Sequence, residues 1–370
     1  MVWRIHVVTE AAKDPDQTRR FAGRIRDTAL RLVGLGVAGV VLWWLFTRVV
    51  SWSDVVDAVA DLSAGDWAVL VAVSAVRLAI EPLLLMAATP KLRWGKGTLG
   101  YLAPAATASV VPGPSDLAAR YAMFRSWGYS GAQTSASVVL VFLYNTFAKV
   151  ALPVVAAVVF VVFGRSNAQL VTIAMIAGGI LAGGVALVAL LLRSEGTARR
   201  IGHAVGTAAR RVGGWFRITT PETLAADLAE RAAHFRDRTG DVVRTRTHLA
   251  VGAAAAGQGA LFAILLVSVR SVGITSGQLD WVSLFAAFAL VQILTSVPIT
   301  PSGLGVAEAA YITLLTAASS DGIASEVAAA AIIYRLFSWV IVIPLGLVAW
   351  MIWSRIRTGR AQLPSSGSQP

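Results

Sequence analysis

The sequence contains no cysteine, which excludes disulfides, thiolate metal sites and cysteine nucleophiles together. Histidine is scarce as well: His6, His203, His234 and His248 are the whole set, none lies inside an apolar run, and no two stand at a metal-ligand spacing. No metal and no cofactor is therefore expected. Charge is the third deficit. Only 14% of the 370 residues are Asp, Glu, Lys or Arg, against about a quarter in a soluble domain, which is too little to coat a water-facing surface. Enzyme signatures are missing too: there is no P-loop, no H-E-x-x-H and no G-x-S-x-G, so the chain reads as a non-enzyme.

What is present is hydrocarbon: 56% of residues are hydrophobic, and the mean hydropathy is +0.69. Crossing a ~30 Å apolar core takes about 20 apolar residues in a helix. Runs that meet this are Leu32–Val50, Trp67–Ala88, Val171–Leu192, Leu249–Val269 and Ala328–Trp353. Ser135–Phe163 is longer than one crossing needs; a break near Pro153 or an interfacial start would account for it. Gly100–Pro114 and Trp281–Ala317 are apolar but interrupted by Pro and Gly. No cleavable signal peptide is expected, because the first apolar run follows roughly thirty mostly polar residues and exceeds a signal core.

Basic residues are distributed unevenly between the runs. Arg19, Arg20, Arg24, Arg26 and Arg31 precede the first, whereas Ser51–Asp66 carries four aspartates and no Lys or Arg. Lys91, Arg93 and Lys96 follow the second run, 193–248 holds eleven arginines against six acids, and Arg355, Arg357 and Arg360 follow the last. The positive-inside rule then places both termini and the long connector in the cytoplasm of a bacterial inner membrane. The net charge of +12 is of the kind such loops carry, so membrane lipid, and not nucleic acid, is the expected partner. The expected domains are a cytoplasmic segment 1–31, a membrane domain 32–354 containing the basic connector 193–248, and a disordered cytoplasmic tail 355–370. Within the connector, Thr197–Arg238 has helical periodicity and a basic face, which suits a solvated connector or a helix lying on anionic headgroups.

An internal repeat organises the membrane domain. Ser109–Ser115 reads S-V-V-P-G-P-S and Ser296–Ser302 reads S-V-P-I-T-P-S, four of seven positions matching at an offset of 187. A full span precedes each motif, and a long apolar helix carrying one cation follows it: Lys149 lies 35 residues after Pro114, and Arg335 lies 34 after Pro301. The loop charges orient the two preceding spans oppositely. The expected fold is thus an all-α polytopic transmembrane bundle with inverted repeats and two broken or re-entrant helix motifs, an organisation whose binding sites lie near the midplane. Pro114 and Pro301 are placed to start new helices, followed by Ser115 and Ser302, while Gly303 and Gly305 loosen the chain. A helix start inside the membrane offers unpaired N–H groups to a phosphate.

Ionisable residues inside spans are costly and mark function by default. Arg77 and Glu81 are four apart on one helix face, as either a structural pair or substrate contacts. Arg335 falls nine residues past Glu326, about 14 Å along a helix, with Glu308 as its natural counter-charge. Lys149 has no acid nearby in sequence, which makes it a candidate for an anionic ligand. Asp116 and Arg120 follow the first break, and Asn145, Gln258 and Gln292 add polar groups to apolar runs.

The run P-I-T-P-S-G-L-G-V-A-E (Pro298–Glu308), with I-Y-R (Ile333–Arg335) and P-L-G (Pro344–Gly346), resembles the second signature of the lysylphosphatidylglycerol synthase transmembrane, or flippase-like domain, family. P-G-P-S-D-L-A-A-R (Pro112–Arg120) is similar to the first, with Ser115-Asp116 where Gly-Glu is usual and no acidic–Arg pair around Val141–Asn145. The resemblance runs from about Leu32 to Trp353. It implies a membrane domain that moves charged phospholipids between leaflets. Bifunctional members carry a soluble aminoacyl-transfer domain; the sequence stops at Pro370, just after the last span, so a stand-alone member without that activity is expected.

The expected function is a flippase or transporter for an anionic or phosphate-linked lipid. Its headgroup would meet Lys149 and Arg335 between the halves, balanced by Glu308, Asp116 and Glu81. Two alternatives stand beside it: a membrane-embedded transferase on a polyprenyl-linked or phospholipid substrate, and a non-transporting partner of a glycosyltransferase or synthase. A homo-oligomer or a partner membrane enzyme is compatible with each.

Overall fold

A computed structural model describes residues 60–110, 115–165, 167–215, 223–296, 306–319 and 323–361. The first apolar run, Leu32–Val50, lies outside the described residues, as do Pro114, Pro301, Ser302, Gly303, Gly305 and residues 362–370. What is described is helical, without a strand. The helices are α1 (Ala64–Ala88), α2 (Trp94–Val110), α3 (Ser115–Ser126), α4 (Gly131–Val162), α5 (Ala168–Arg193), α6 (Glu195–Trp215), α7 (Leu224–Ser271), α8 (Trp281–Leu294), α9 (Val306–Ala318), α10 (Ala324–Arg335) and α11 (Val342–Ala361). A π-helical turn, Leu336–Val340, joins the last two.

Local chemistry sets many of the helix starts. Ser63 and Ser130 form reciprocal capping boxes with Asp66 and Gln133, while Asn167 and Asp280 accept backbone N–H groups of α5 and α8. Five described segments are long and apolar enough to cross a membrane: α1, α4, α5, Thr239–Ser271 of α7, and Ala324–Ile356. Their outward faces are apolar, with Val162, Met175, Ile176 and Ile180 each more than half exposed. A continuous apolar band of this kind belongs against hydrocarbon, not water. The protein is therefore an all-α polytopic membrane bundle.

Pro153 does not break α4, which runs unbroken through 32 residues. Proline costs a helix one donor and a bend, and packing against neighbouring spans tolerates both. The described residues of the connector are mostly helical. α6 lies along the first half of α7, with Ala198 and Gly202 turned inward. A Cβ at Gly202 would collide with the Leu228 carbonyl, so only glycine allows this approach.

α2, α3, α8 and α9, of 17, 12, 14 and 13 residues, are each shorter than the roughly 20 needed to cross. They pack as two hairpins, α2 with α3 and α8 with α9. Each hairpin stands at the centre of its own apolar cluster. Met123, Phe124 and Trp127 of the first hairpin gather Leu84, Leu85, Leu140, Val141, Ala250, Ala254, Ala349 and Trp353. Phe288, Tyr311 and Leu315 of the second gather Leu70, Leu152, Ala156, Ile264, Leu265, Val327 and Ile333.

The order in which each long helix visits the two clusters gives its direction. α1 passes from the second cluster (Leu70) to the first (Leu84), and its counterpart α7 from the first (Ala254) to the second (Ile264). Likewise α4 runs from the first (Leu140) to the second (Leu152), and α10–α11 from the second (Val327) to the first (Trp353). The halves are inverted, as the repeat predicts. They also exchange partners: α2 packs on α11 of the other half, α8 packs on α4, and α1 packs on α7. Gly346 of α11 sits so close to Leu102 and Ala106 of α2 that any side chain there would overlap both.

Candidate functional site

Between the two apolar clusters lies a polar layer, built from residues at the middle of the long helices. Arg77 and Glu81 fall between Leu70 and Leu84 of α1, Gln258 between Ala254 and Ile264 of α7, and Lys149 between Val141 and Leu152 of α4. Arg335 and Ser338 occupy the same level, at the junction of α10 with the π turn.

Arg77 ties the halves together. Its Nη1 donates to the Ser338 carbonyl at 2.7 Å, and its Nη2 to the Tyr101 hydroxyl at 2.8 Å. Its Nε lies 3.3 Å from Glu81 Oε1, an ion pair by distance without hydrogen-bond alignment. The carbonyl that Arg77 uses belongs to the wide turn just before Pro344. That proline has no N–H for the Val340 carbonyl and crowds it, which favours the π turn and leaves carbonyls for outside donors. An arginine also reaches a backbone carbonyl in the first half. Pro104 removes the helical donor to Gly100, and the Gly100 carbonyl accepts from Arg120 Nε at 3.4 Å. Arg120 is buried, within reach of the charges of Asp116 and Glu81.

A cavity of about 250 Å³ opens in the polar layer. Lys149 faces it from the first half, and Gln292, Tyr311, Tyr334 and Arg335 from the second. Arg335 is paired with Glu308 and lies 5.9 Å from the Trp339 ring. The other carboxylate oxygen of that pair, Glu308 Oε2, is buried and has no hydrogen-bond partner among the described residues. Among the described residues Lys149 makes no ion pair or hydrogen bond, although Glu81 is close enough for its charge to act on it. Gln292 donates to Gln258 at 3.1 Å across α7 and α8, and Tyr311 meets Tyr334 edge to face at 5.4 Å.

The expected pairs Arg77–Glu81 and Arg335–Glu308 are thus present, and Lys149 shares a cavity with Arg335. Asp116 stands in the first turn of α3 beside Arg120, and Ser115 opens that helix. Asn145 is exposed on α4 and does not reach the cavity. Tyr101, Tyr311, Tyr334 and the Ser338 carbonyl belong to the polar layer without having been singled out by sequence. A tyrosine in an apolar run carries no charge signal, and Ser338 contributes a backbone atom whose only sequence mark is the proline six residues on.

Two inverted halves meeting at a charged mid-bundle layer define a polytopic membrane protein with an internal polar site. More particularly, the chain belongs to the family described as the lysylphosphatidylglycerol synthase TM region, whose model matches residues 31–346. No curated protein matches the chain.

Proposed function

We propose that the protein moves an anionic, phosphate-linked lipid between the leaflets of a bacterial inner membrane, without covalent chemistry. The observation that carries this reading is the cavity shared by Lys149 and Arg335, one cation from each inverted half. Among the described residues around it, three cations, Arg77, Lys149 and Arg335, stand against two carboxylates, Glu81 and Glu308. The surplus of one positive charge complements a phosphodiester, which carries one negative charge. A buried uncompensated charge is expensive, so an anion that completes the balance is drawn to the site. Membership of a family named for a phospholipid synthase fits a lipid substrate.

A headgroup held by one cation of each half is released when the halves separate, which is how inverted repeats alternate access. Glu81 and Glu308 hold the cations while the site is empty. The ends of the bundle bearing Lys91, Arg93, Lys96 and the α6–α7 hairpin are basic and face the cytoplasm by the positive-inside rule. Purified protein in vesicles containing a fluorescent phosphatidylglycerol should speed its exchange between leaflets, read by quenching of the outer leaflet. Lys149→Ala with Arg335→Ala should abolish that exchange; unchanged exchange in a folded double variant refutes the proposal.

A further inference from the structure

A second cavity, larger than the polar one, lies beside it. A groove of about 700 Å³ runs between α4, α5 and α7, walled by Phe147, Ala151 and Val155, by Leu181 and Val185, and by Val251 and Ala255. Its few polar groups are turned to partners: the Tyr144 and Thr247 hydroxyls bond each other at 2.7 Å, and Gln258 accepts from Gln292. Water needs two to four polar partners to occupy such a space, so its natural filling is hydrocarbon.

Two features identify which hydrocarbon. First, the groove adjoins the polar cavity. Gln258 lines the groove and its hydrogen-bond partner Gln292 lines the cavity, while on α4 Ala148 faces the groove and the next residue, Lys149, the cavity. Second, one wall of the groove is closely packed. α4 and α5 stay in contact beside it, where a Cβ on Gly184 would lie 2.8 Å from Phe147 Cε1. A methylene chain, slimmer than a helix about 10 Å across, can lie along this closed wall without parting α4 from α5.

We infer that this groove holds an acyl chain of the same lipid whose phosphate enters the Lys149–Arg335 cavity, with the Gln258–Gln292 pair as the partition between chain and headgroup. The inference rests on the transport reading above and adds the second half of the ligand. The protein then recognises a whole anionic lipid, and a water-soluble phosphate ester lacking long chains is a poor substrate.

The test uses the full-length protein in nanodiscs with phosphatidylglycerol carrying a photoreactive diazirine midway along one chain. Adducts are mapped by peptide mass spectrometry. Expected are adducts on the groove faces of α4 and α7, displaced by unlabelled phosphatidylglycerol but not by phosphatidylcholine, and reduced at least tenfold in Ala255→Phe and in Ala151→Phe. Adducts spread over the outward faces at Met175, Ile176 and Val162, or groove adducts removed equally by phosphatidylcholine, would overturn the inference in favour of bulk lipid. A single cysteine introduced at Val185 of this cysteine-free chain reports on a second copy: disulfide dimers in place of lipid adducts would assign the groove to an interface and overturn it too. Loss of leaflet exchange on removing Lys149 and Arg335, with no groove adducts, sinks the groove alone. Selective groove adducts with exchange unaffected by those substitutions sink the transport reading and leave the chain site standing.

Discussion

Arg77 offers a sharp test of how the polar layer is held. Its guanidinium reaches Glu81 on its own helix, Tyr101 on α2 and the Ser338 carbonyl in the other half. Both side chains of the ion pair are largely buried, at 8% and 20% exposure. Replacing Arg77 by Met removes the ion-pair partner of Glu81 and two charged hydrogen bonds; breaking a buried pair in this way costs about 3–5 kcal/mol. Glu81→Gln alone leaves Arg77 and Lys149 without their carboxylate and costs about 3 kcal/mol by the same reasoning. The double variant leaves neither half of the pair behind; it loses the contacts to Tyr101 and Ser338, about 2 kcal/mol in total, and the Glu81 charge near Lys149 that Glu81→Gln alone also removes. The singles together should therefore exceed the double by roughly 3 kcal/mol or more, a coupling well above the about 0.5 kcal/mol scatter of independent sites. Equilibrium unfolding of the four proteins in one mild detergent measures it. Additivity within that scatter would refute the view that the pair acts as one compensated unit.

Two further outcomes follow from the packing and the caps. Gly346→Leu should push α11 off α2, destabilising the fold by about 1–3 kcal/mol as overpacking does, whereas the same change at Gly252, with open space around it, should lower the melting temperature little. Asp280 caps α8 and pairs with Arg165 at 2.7 Å; partial desolvation raises its pKa, but hydrogen bonds from Arg165, Ser283 and the Val282 and Ser283 backbone outweigh it and hold the group near 2. Because the folded-state value is depressed, this carboxylate's contribution is full above the ordinary aspartate value near 4 and is lost as pH falls through about 2. Asp280→Asn should thus cost stability at pH 7, and the gap from the parent should close toward pH 2 in acid unfolding curves.

Composition and local patterning determined a large part of this protein. Runs of twenty apolar residues with few charges can be stable only as spans. The spans at Trp67–Ala88, Val171–Leu192, Leu249–Val269 and Ala328–Trp353 all reappear with modest extensions. The repeat around the two Pro-Ser steps announced the inverted halves, because a duplicated pattern of spans and breaks folds to a duplicated shape. Arg335 with Glu308 and Arg77 with Glu81 were legible because a charge in hydrocarbon must find its opposite, and few opposites exist. Tertiary structure alone decided the rest. Glu81 acts on Lys149 across 68 positions of sequence, and Arg77 reaches a carbonyl 261 residues away. Which helices face each other depends on packing between segments remote in the chain, and no local period encodes it. Asn145 shows the same limit from the other side: it has the right polarity and stands one turn before Lys149 on the same side of α4, yet only Lys149 lines the cavity, and no local pattern separates the two positions. The absence of cysteine excluded disulfides, thiolate metal sites and cysteine nucleophiles from the sequence alone, and the scarcity of charge pointed to a membrane chain. The meeting of one cation from each half in a single cavity exists only once two distant, oppositely oriented segments have packed together.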